Sequence, residues 1–283
     1  MSEDTQPRKQ VQTLVRAFSI IEALTDHAEL GVSEIAEAVS LDKSTVYRIL
    51  KTLKSLGYID QNPRTSKYLN GLKFFKIGNA VIQHTGLDQI ASPAMHKLST
   101  RTGESVNLAV LAGHSVMYIY KIESSLPLQI HLPLGSLFPL YCTGLGKVLL
   151  ANLPEEKLDR LLSESAEHPT PRGLRQFKAY TENTITDETT LREELALIRE
   201  KGYGVDNQEQ FRGISCLAAP IFNHTNEVIA ALSITLPHIT GINIQMKIEA
   251  VLPFLLEATK EISKTLGSTR VDKPQTGYTG WFV

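Results

Sequence analysis

Two clusters of residues in this chain are of the type and spacing that do chemistry. The first is KSTVYRILKTLK at 43–54, followed by PRTSK at 63–67: hydroxyls, a tyrosine and a run of bases. Such side chains meet phosphate oxygens as cations and donors, and base edges as hydrogen-bond partners. The second is spread over the C-terminal half. It comprises Gly144-Leu145-Gly146 in YCTGLGKVLL, Asp206 in GYGVDNQEQ, Cys216 in ISCLAAP, and Ser233 with Thr235 in VIAALSIT. A glycine turn that runs into a helix offers free backbone N–H groups and a positive dipole end, which hold a carboxylate without a charged side chain.

Each of these has a bland reading beside the chemical one. Gly144–Gly146 is either an anion cradle or a plain glycine turn. Cys216, Ala218 and Pro220 share one strand face, and Ser233 and Thr235 share another. Those groups either wall a pocket for a small polar molecule or bond backbone inside a core. Asp206 either accepts bonds from ligand hydroxyls or caps a loop. YCTGLGKVLL is not a nucleotide phosphate loop, because that motif needs glycine at 141 and a hydroxyl at 148, where the chain has Tyr141 and Val148. Cys142 and Cys216 form no C-x-x-C pair, and no Cys–His spacing marks a nucleophile. No catalytic residues, metal site or cofactor are expected.

The elements that must position the first cluster are legible. Val11, Leu14, Val15, Phe18, Ile21 and Leu24 recur at helical spacing. Ser33 stands where it caps a short helix, EIAEAV. After the link SLDK, Asp42 caps a third helix that stops at Gly57. Its inward face is Val46, Ile49, Leu50, Leu53 and Leu56. Its outward face carries Ser44, Thr45, Tyr47, Arg48, Lys51 and Ser55. Tyr58–Asp60 and Lys67–Leu69 read as a hairpin turning at Asn62-Pro63, with Arg64 near its tip. Two short helices followed by a hairpin are either a plain small bundle or a winged helix-turn-helix whose third helix is sized for a major groove, and the bases shared by that helix and the hairpin favour the second. The candidate DNA contacts are Ser33, Lys43, Ser44, Thr45, Tyr47, Arg48, Lys51, Arg64 and Lys67.

Charge supports this division. Net charge is −1 over 283 residues, but it is unevenly placed. Residues 1–42 hold three bases (Arg8, Lys9, Arg16) and eight acids. Residues 43–73 hold seven bases (Lys43, Arg48, Lys51, Lys54, Arg64, Lys67, Lys73) and one acid, Asp60. That density is either the electrostatic footprint of a phosphate partner or a solvated helix face with excess lysine. A composition 42% apolar and 21% charged excludes a disordered or fibrous chain. With no signal-like start and no apolar run of about 20 residues, a soluble cytoplasmic protein is expected.

Residues 72–86 read as a helix with more apolar surface (Phe74, Phe75, Ile77, Val81, Ile82) than a linker needs. It either packs on its own domains or meets a partner's copy. From 87 onward, helix DQIASPAMHKLSTRTG is followed by strands SVNLAVLAG, SVMYIYKIE and LPLQIHLPLG, helical stretches near 145–162 and 187–201, strands GYGVD, ISCLAAPIF and VIAALSIT, and a closing helix KIEAVLPFLLEATKEISKTLG. This is an α+β pattern.

The order of the first elements, with SEIAEAVSLDKSTVYRILKTLKSLGYI and a wing, resembles the IclR family of bacterial transcriptional regulators, and the resemblance runs along nearly the whole chain. It implies residues 1–71 as DNA-binding domain, 72–86 as linker and dimerisation helix, 87–266 as a GAF-like effector-binding domain, and 267–283 as a tail. It implies an effector site built from Gly144, Leu145, Asp206, Cys216, Ser233 and Thr235, with Thr235 where serine is common and Leu145 bulkier than the usual alanine. PLYCTGLGKVLLA and REKGYGVDNQEQ are most similar to members that answer to 2-keto-3-deoxygluconate. The expected partners are double-stranded operator DNA, a small carboxylate or sugar acid, and a second copy of the chain, with a tetramer left open. The expected function is control, as a repressor, of a carbohydrate catabolic operon.

Overall fold

The computed structural model describes residues 11–124, 133–163, 177–239, 241 and 243–270. The chain divides into two compact units, Met1–Thr85 and Gly86–Val283.

The first unit contains α1 (Gln12–Thr25), α2 (Val32–Ala38), α3 (Lys43–Ser55), a hairpin of β1 (Ile59–Gln61) and β2 (Tyr68–Asn70), and α4 (Lys73–Thr85). Its core is Ile20, Leu24, Ile35, Val46, Ile49, Leu50, Ile59 and Tyr68. The Asp42 carboxylate accepts from the Thr45 N–H at 2.8 Å and starts α3 as expected. α3 ends at Leu56. The Tyr58 N–H reaches back to the Leu53 carbonyl at 2.9 Å and the Gly57 N–H to the Lys54 carbonyl at 3.0 Å, a Schellman closure.

Three expectations for this unit are corrected. Ser33 does not cap α2. Gly31 is the cap residue, and the Glu34 carboxylate accepts its N–H at 2.6 Å, placing Ser33 inside the first turn. Leu56 is exposed, because α3 turns its last residue past the edge of this small core. Val11, Leu14, Val15 and Phe18 on α1 are also exposed, since it is Ile20 and Leu24, flanked by Ala17 and Ile21, that reach the core.

The second unit is a three-layer sandwich. A six-stranded antiparallel sheet has the order β5-β4-β3-β8-β7-β6. Its strands are β3 (Ser105–Ala112), β4 (Ser115–Ile122), β5 (Leu137–Pro139), β6 (Gly204–Asn207), β7 (Ile214–Phe222) and β8 (Val228–Pro237). α5 (Leu87–Thr102) and α9 (Ile244–Thr265) cover one face through Met95, Leu98, Val251, Leu255 and Ile262. α6 (Gly144–Ala151), α7 (Glu155–Ser163) and α8 (Glu188–Lys201) cover the other through Leu145, Leu149, Leu158, Leu191 and Leu195. The helical stretch expected near 145–162 is thus two helices, parted at Asn152–Pro154, where proline disfavours helix in the residue before it. The strand expected at LPLQIHLPLG falls mostly outside the described residues, and the strand seen nearby is β5. At the end of α9, Ser268 Oγ donates to Asn226 Oδ1 at 2.8 Å and Arg270 lies over the Phe222 ring, so the first tail residues dock on the β7–β8 turn.

Candidate functional site

The basic face is assembled by α3 and the hairpin. Lys43, Ser44, Tyr47, Arg48 and Lys51 are exposed on α3, with Thr45 half-buried; Ser33 is exposed on α2 and Arg64 on the hairpin. Asn62 shapes the hairpin tip, its side-chain oxygen accepting the Arg64 N–H at 2.9 Å. The bases are not equivalent. Lys67 is ion-paired with Glu34 at 3.1 Å, and Lys54 donates to Gln61 Oε1 at 2.8 Å. Among the described residues Lys43, Arg48, Lys51 and Arg64 have no acid at ion-pair distance. Ser44 Oγ spends its hydrogen on Asp42 at 2.5 Å, so it meets a phosphate as a donor only by releasing that cap. Bonds from Ser44 and Thr45 hold the Asp42 carboxyl well below the usual carboxylate range.

In the second unit, Gly144, Leu145, Asp206, Cys216 and Thr235 line one small cleft that opens to solvent. Its other walls are Tyr118, Phe138, Thr143, Gln210, Phe211 and Ile214. Strand alternation gathers the sheet residues: Cys216 pairs with Thr235 and Ala218 with Ser233, all on the α6 face. Asp206 comes from the neighbouring edge strand, opposite Cys216. Ser233 is on the same face but is wholly buried, its hydroxyl has no partner, and it does not line the cleft.

α6 enters the cleft by its N-terminus. Thr143 caps it, accepting the Gly146 N–H at 3.1 Å and donating to the Pro139 carbonyl at 3.0 Å. The N–H groups of Gly144 and Leu145 have no acceptor within the helix. The glycines are demanded by packing. A Cβ on Gly144 would stand 3.2 Å from the Cys216 carbonyl, and one on Gly146 would overlap the Leu140 carbonyl. The helix start is therefore pressed against β6 and β7, with its free N–H groups beside Asp206 and Cys216.

Behind this wall lies a buried charge cluster that sequence reasoning missed. Lys147 Nζ donates to Glu209 Oε1 at 2.5 Å, to the Val205 carbonyl at 2.7 Å and to Glu194 Oε1 at 2.9 Å. All three ammonium hydrogens are used. Burial works against that charge, but Glu209 and Glu194 outweigh it and keep Lys147 protonated. Asp206 Oδ1 accepts the Glu209 N–H at 2.7 Å. Burial, with the nearby Glu209 charge adding to it, pushes the Asp206 carboxyl up to about 7. A lysine inside the apolar helix GLGKVLLA was the available signal, since lysine is almost never fully buried unless paired. Asn107, also missed, donates to Thr235 Oγ1 at 3.0 Å and fixes that hydroxyl.

The thiols are not nucleophiles here. Cys142 Sγ donates to Gln210 Oε1 at 2.8 Å, Cys216 lies 3.8 Å from Thr235 Oγ1, and burial pushes both thiols up, away from the reactive thiolate.

A basic helix-turn-helix and a sheet domain with a small-molecule cleft, on one chain, have relatives. Residues 13–63 match the IclR helix-turn-helix domain, and residues 79–264 match the bacterial transcriptional regulator IclR C-terminal domain. The chain belongs to the IclR family. It is 36% identical to the HTH-type transcriptional regulator KdgR of Escherichia coli over 93% of this chain and 95% of that one. It is 39% identical to KdgR of Dickeya chrysanthemi over 83% and 74%. Among solved structures, Thermotoga maritima IclR superposes with a TM-score of 0.68 at 32% identity, covering 92% of this chain and all of the other. This IclR-family chain is thus a DNA-binding transcriptional regulator of the KdgR type with a C-terminal effector domain, and the families it matches are regulators rather than enzymes. Among the described residues no helix is long and apolar enough to cross a membrane.

Proposed function

We propose that this regulator is a repressor of a carbohydrate catabolic operon, and that a sugar acid of the 2-keto-3-deoxygluconate class releases it from DNA. The observation that carries the reading is the composition of the cleft. The free N–H groups of Gly144 and Leu145 suit a carboxylate, while Asp206 and Thr235 offer bonds to hydroxyls on the same small ligand. The relatives named KdgR support the same class.

Two copies present two α3 helices to successive major grooves. The exposed Ile77 and Val81, one turn apart on α4, suit a partner's copy of that helix. Operator contacts come from Lys43, Thr45, Tyr47, Arg48, Lys51 and Arg64, with Ser33, Ser44 and Lys67 flanking. The acid favours an arrangement in which the two α3 helices no longer match the operator spacing. It does so only as far as it binds that arrangement more tightly.

A second reading is an aromatic acid, favoured by the chain of rings Tyr118–Phe138 at 5.3 Å and Phe138–Phe211 at 6.1 Å along the cleft. A thermal-shift comparison separates the two. A ligand present at about a hundred times its dissociation constant adds about 2.7 kcal/mol. Stabilisation by 2-keto-3-deoxygluconate and not by benzoate supports the first reading, and the reverse supports the second. No stabilisation by either contradicts both.

A further inference from the structure

Resting on the reading that the cleft takes an acid, we propose that it loads that acid together with a proton, which Asp206 takes from solvent and uses to donate a hydrogen bond to the bound anion. Three carboxylates, Glu194 on α8, Glu209 after β6 and Asp206 on β6, share one cation, Lys147 on α6. Lys147 has no hydrogen left for Asp206, because Glu194, Glu209 and the Val205 carbonyl take all three. The other titratable groups around Asp206 bring no positive charge: Cys216 from β7, Cys142 before α6 and Tyr118 from β4 are all neutral acids held protonated by burial.

Asp206 is itself buried, lines the cleft and lies beside the start of α6, its N–H 3.5 Å from where a Cβ on Gly144 would stand. A carboxylate seated on the Gly144 and Leu145 N–H groups is therefore a second anion next to an uncompensated one. Two such charges at close range do not both persist in a dry site, and one takes a proton. The ligand anion is held by N–H donors, which favour its charged form, so the proton settles on Asp206. Lys147 and Glu209 are positioning residues: Lys147 ties Val205 to Glu209 across the turn, and the Glu209 N–H aims the Asp206 carboxyl.

The test is calorimetry of the full chain with 2-keto-3-deoxygluconate in phosphate and in Tris, which differ in ionisation enthalpy. At pH 8 the expected uptake approaches one proton per site, and the dissociation constant rises about tenfold for each pH unit above neutrality while staying flat below pH 6. Binding with no proton uptake and no pH dependence overturns the proposal. A ligand-independent arm separates this from failure of the sugar-acid reading. In the free protein, carboxyl-carbon NMR of Asp206, assigned through its backbone, is expected to titrate near neutrality. Glu209→Gln is expected to lower that midpoint. A wild-type midpoint in the ordinary range near 4 overturns the proposal whatever the ligand does, and an Asp206 midpoint unchanged in Glu209→Gln overturns the claim that the Glu209 charge helps hold the Asp206 proton.

Discussion

Arg48→Ala tests the division of labour among the bases of the first unit. Lys43, Arg48, Lys51 and Arg64 stand free of acids, whereas Lys67 is compensated by Glu34. The proposed dimer therefore brings eight such cations to a duplex, four from each copy. At about −0.9 per neutralised phosphate, the slope of log affinity against log salt is about −7. Arg48→Ala removes two of the eight and brings the slope to about −5.4, so between 50 and 200 mM salt the variant loses roughly tenfold less affinity than the wild type. Removing the ion pair whole, with Glu34→Gln and Lys67→Gln together, leaves the slope at its wild-type value, and glutamine at position 34 keeps the helix-start bond to the Gly31 N–H. Fluorescence anisotropy on a duplex selected from a random pool, over a salt series, reads both slopes. An unchanged slope in Arg48→Ala, or an equal fall in the double variant, refutes the assignment of the free cations.

Lys147→Met is expected to destabilise the second unit by about 3–5 kcal/mol, because Glu194 and Glu209 lose their shared cation. At roughly 2–4 °C per kcal/mol for a unit of this size, the melting temperature falls by about 6–20 °C, read by circular dichroism. Burial already pushes the Glu209 carboxyl up, and the variant removes the Lys147 charge that opposes this, so the variant's deficit grows as pH rises from 5 to 8 and shrinks as it falls. A loss below about 1 kcal/mol contradicts the buried-cluster account. Val81→Asp, on the exposed face that Val81 shares with Ile77 on α4, is expected to shift the chain toward monomer in light scattering at micromolar concentration, and an unchanged mass contradicts the pairing of that helix.

Local signals made much of the fold legible. Asp42 and Gly57 bracket α3 because capping is written in one residue at each end. β7 and β8 are visible by strand composition, as near-continuous apolar runs buried on both faces, and the period-two alternation of their side chains put Cys216 and Thr235 on the face that lines the cleft. Alternation carries no depth, so it gave Ser233 the same standing, although Ser233 is sealed. Leu56, Val11, Leu14, Val15 and Phe18 show the complementary limit: periodicity reports which side of a helix is apolar, not how much of that side a small core covers. Lys147 escaped because its partners Glu194, Val205 and Glu209 are 47, 58 and 62 residues away, and only the fold of β6 against α6 and α8 brings them within reach.

Anisotropy of the full chain on its selected duplex, with 2-keto-3-deoxygluconate titrated in, puts the regulator account to the test in one cell. The acid is expected to weaken DNA binding at least tenfold, about 1.4 kcal/mol of preference for the released arrangement, and Thr235→Val is expected to blunt that response without weakening DNA binding in its absence. A chain that holds the duplex equally well with and without the acid, or that never binds duplex at all, contradicts it.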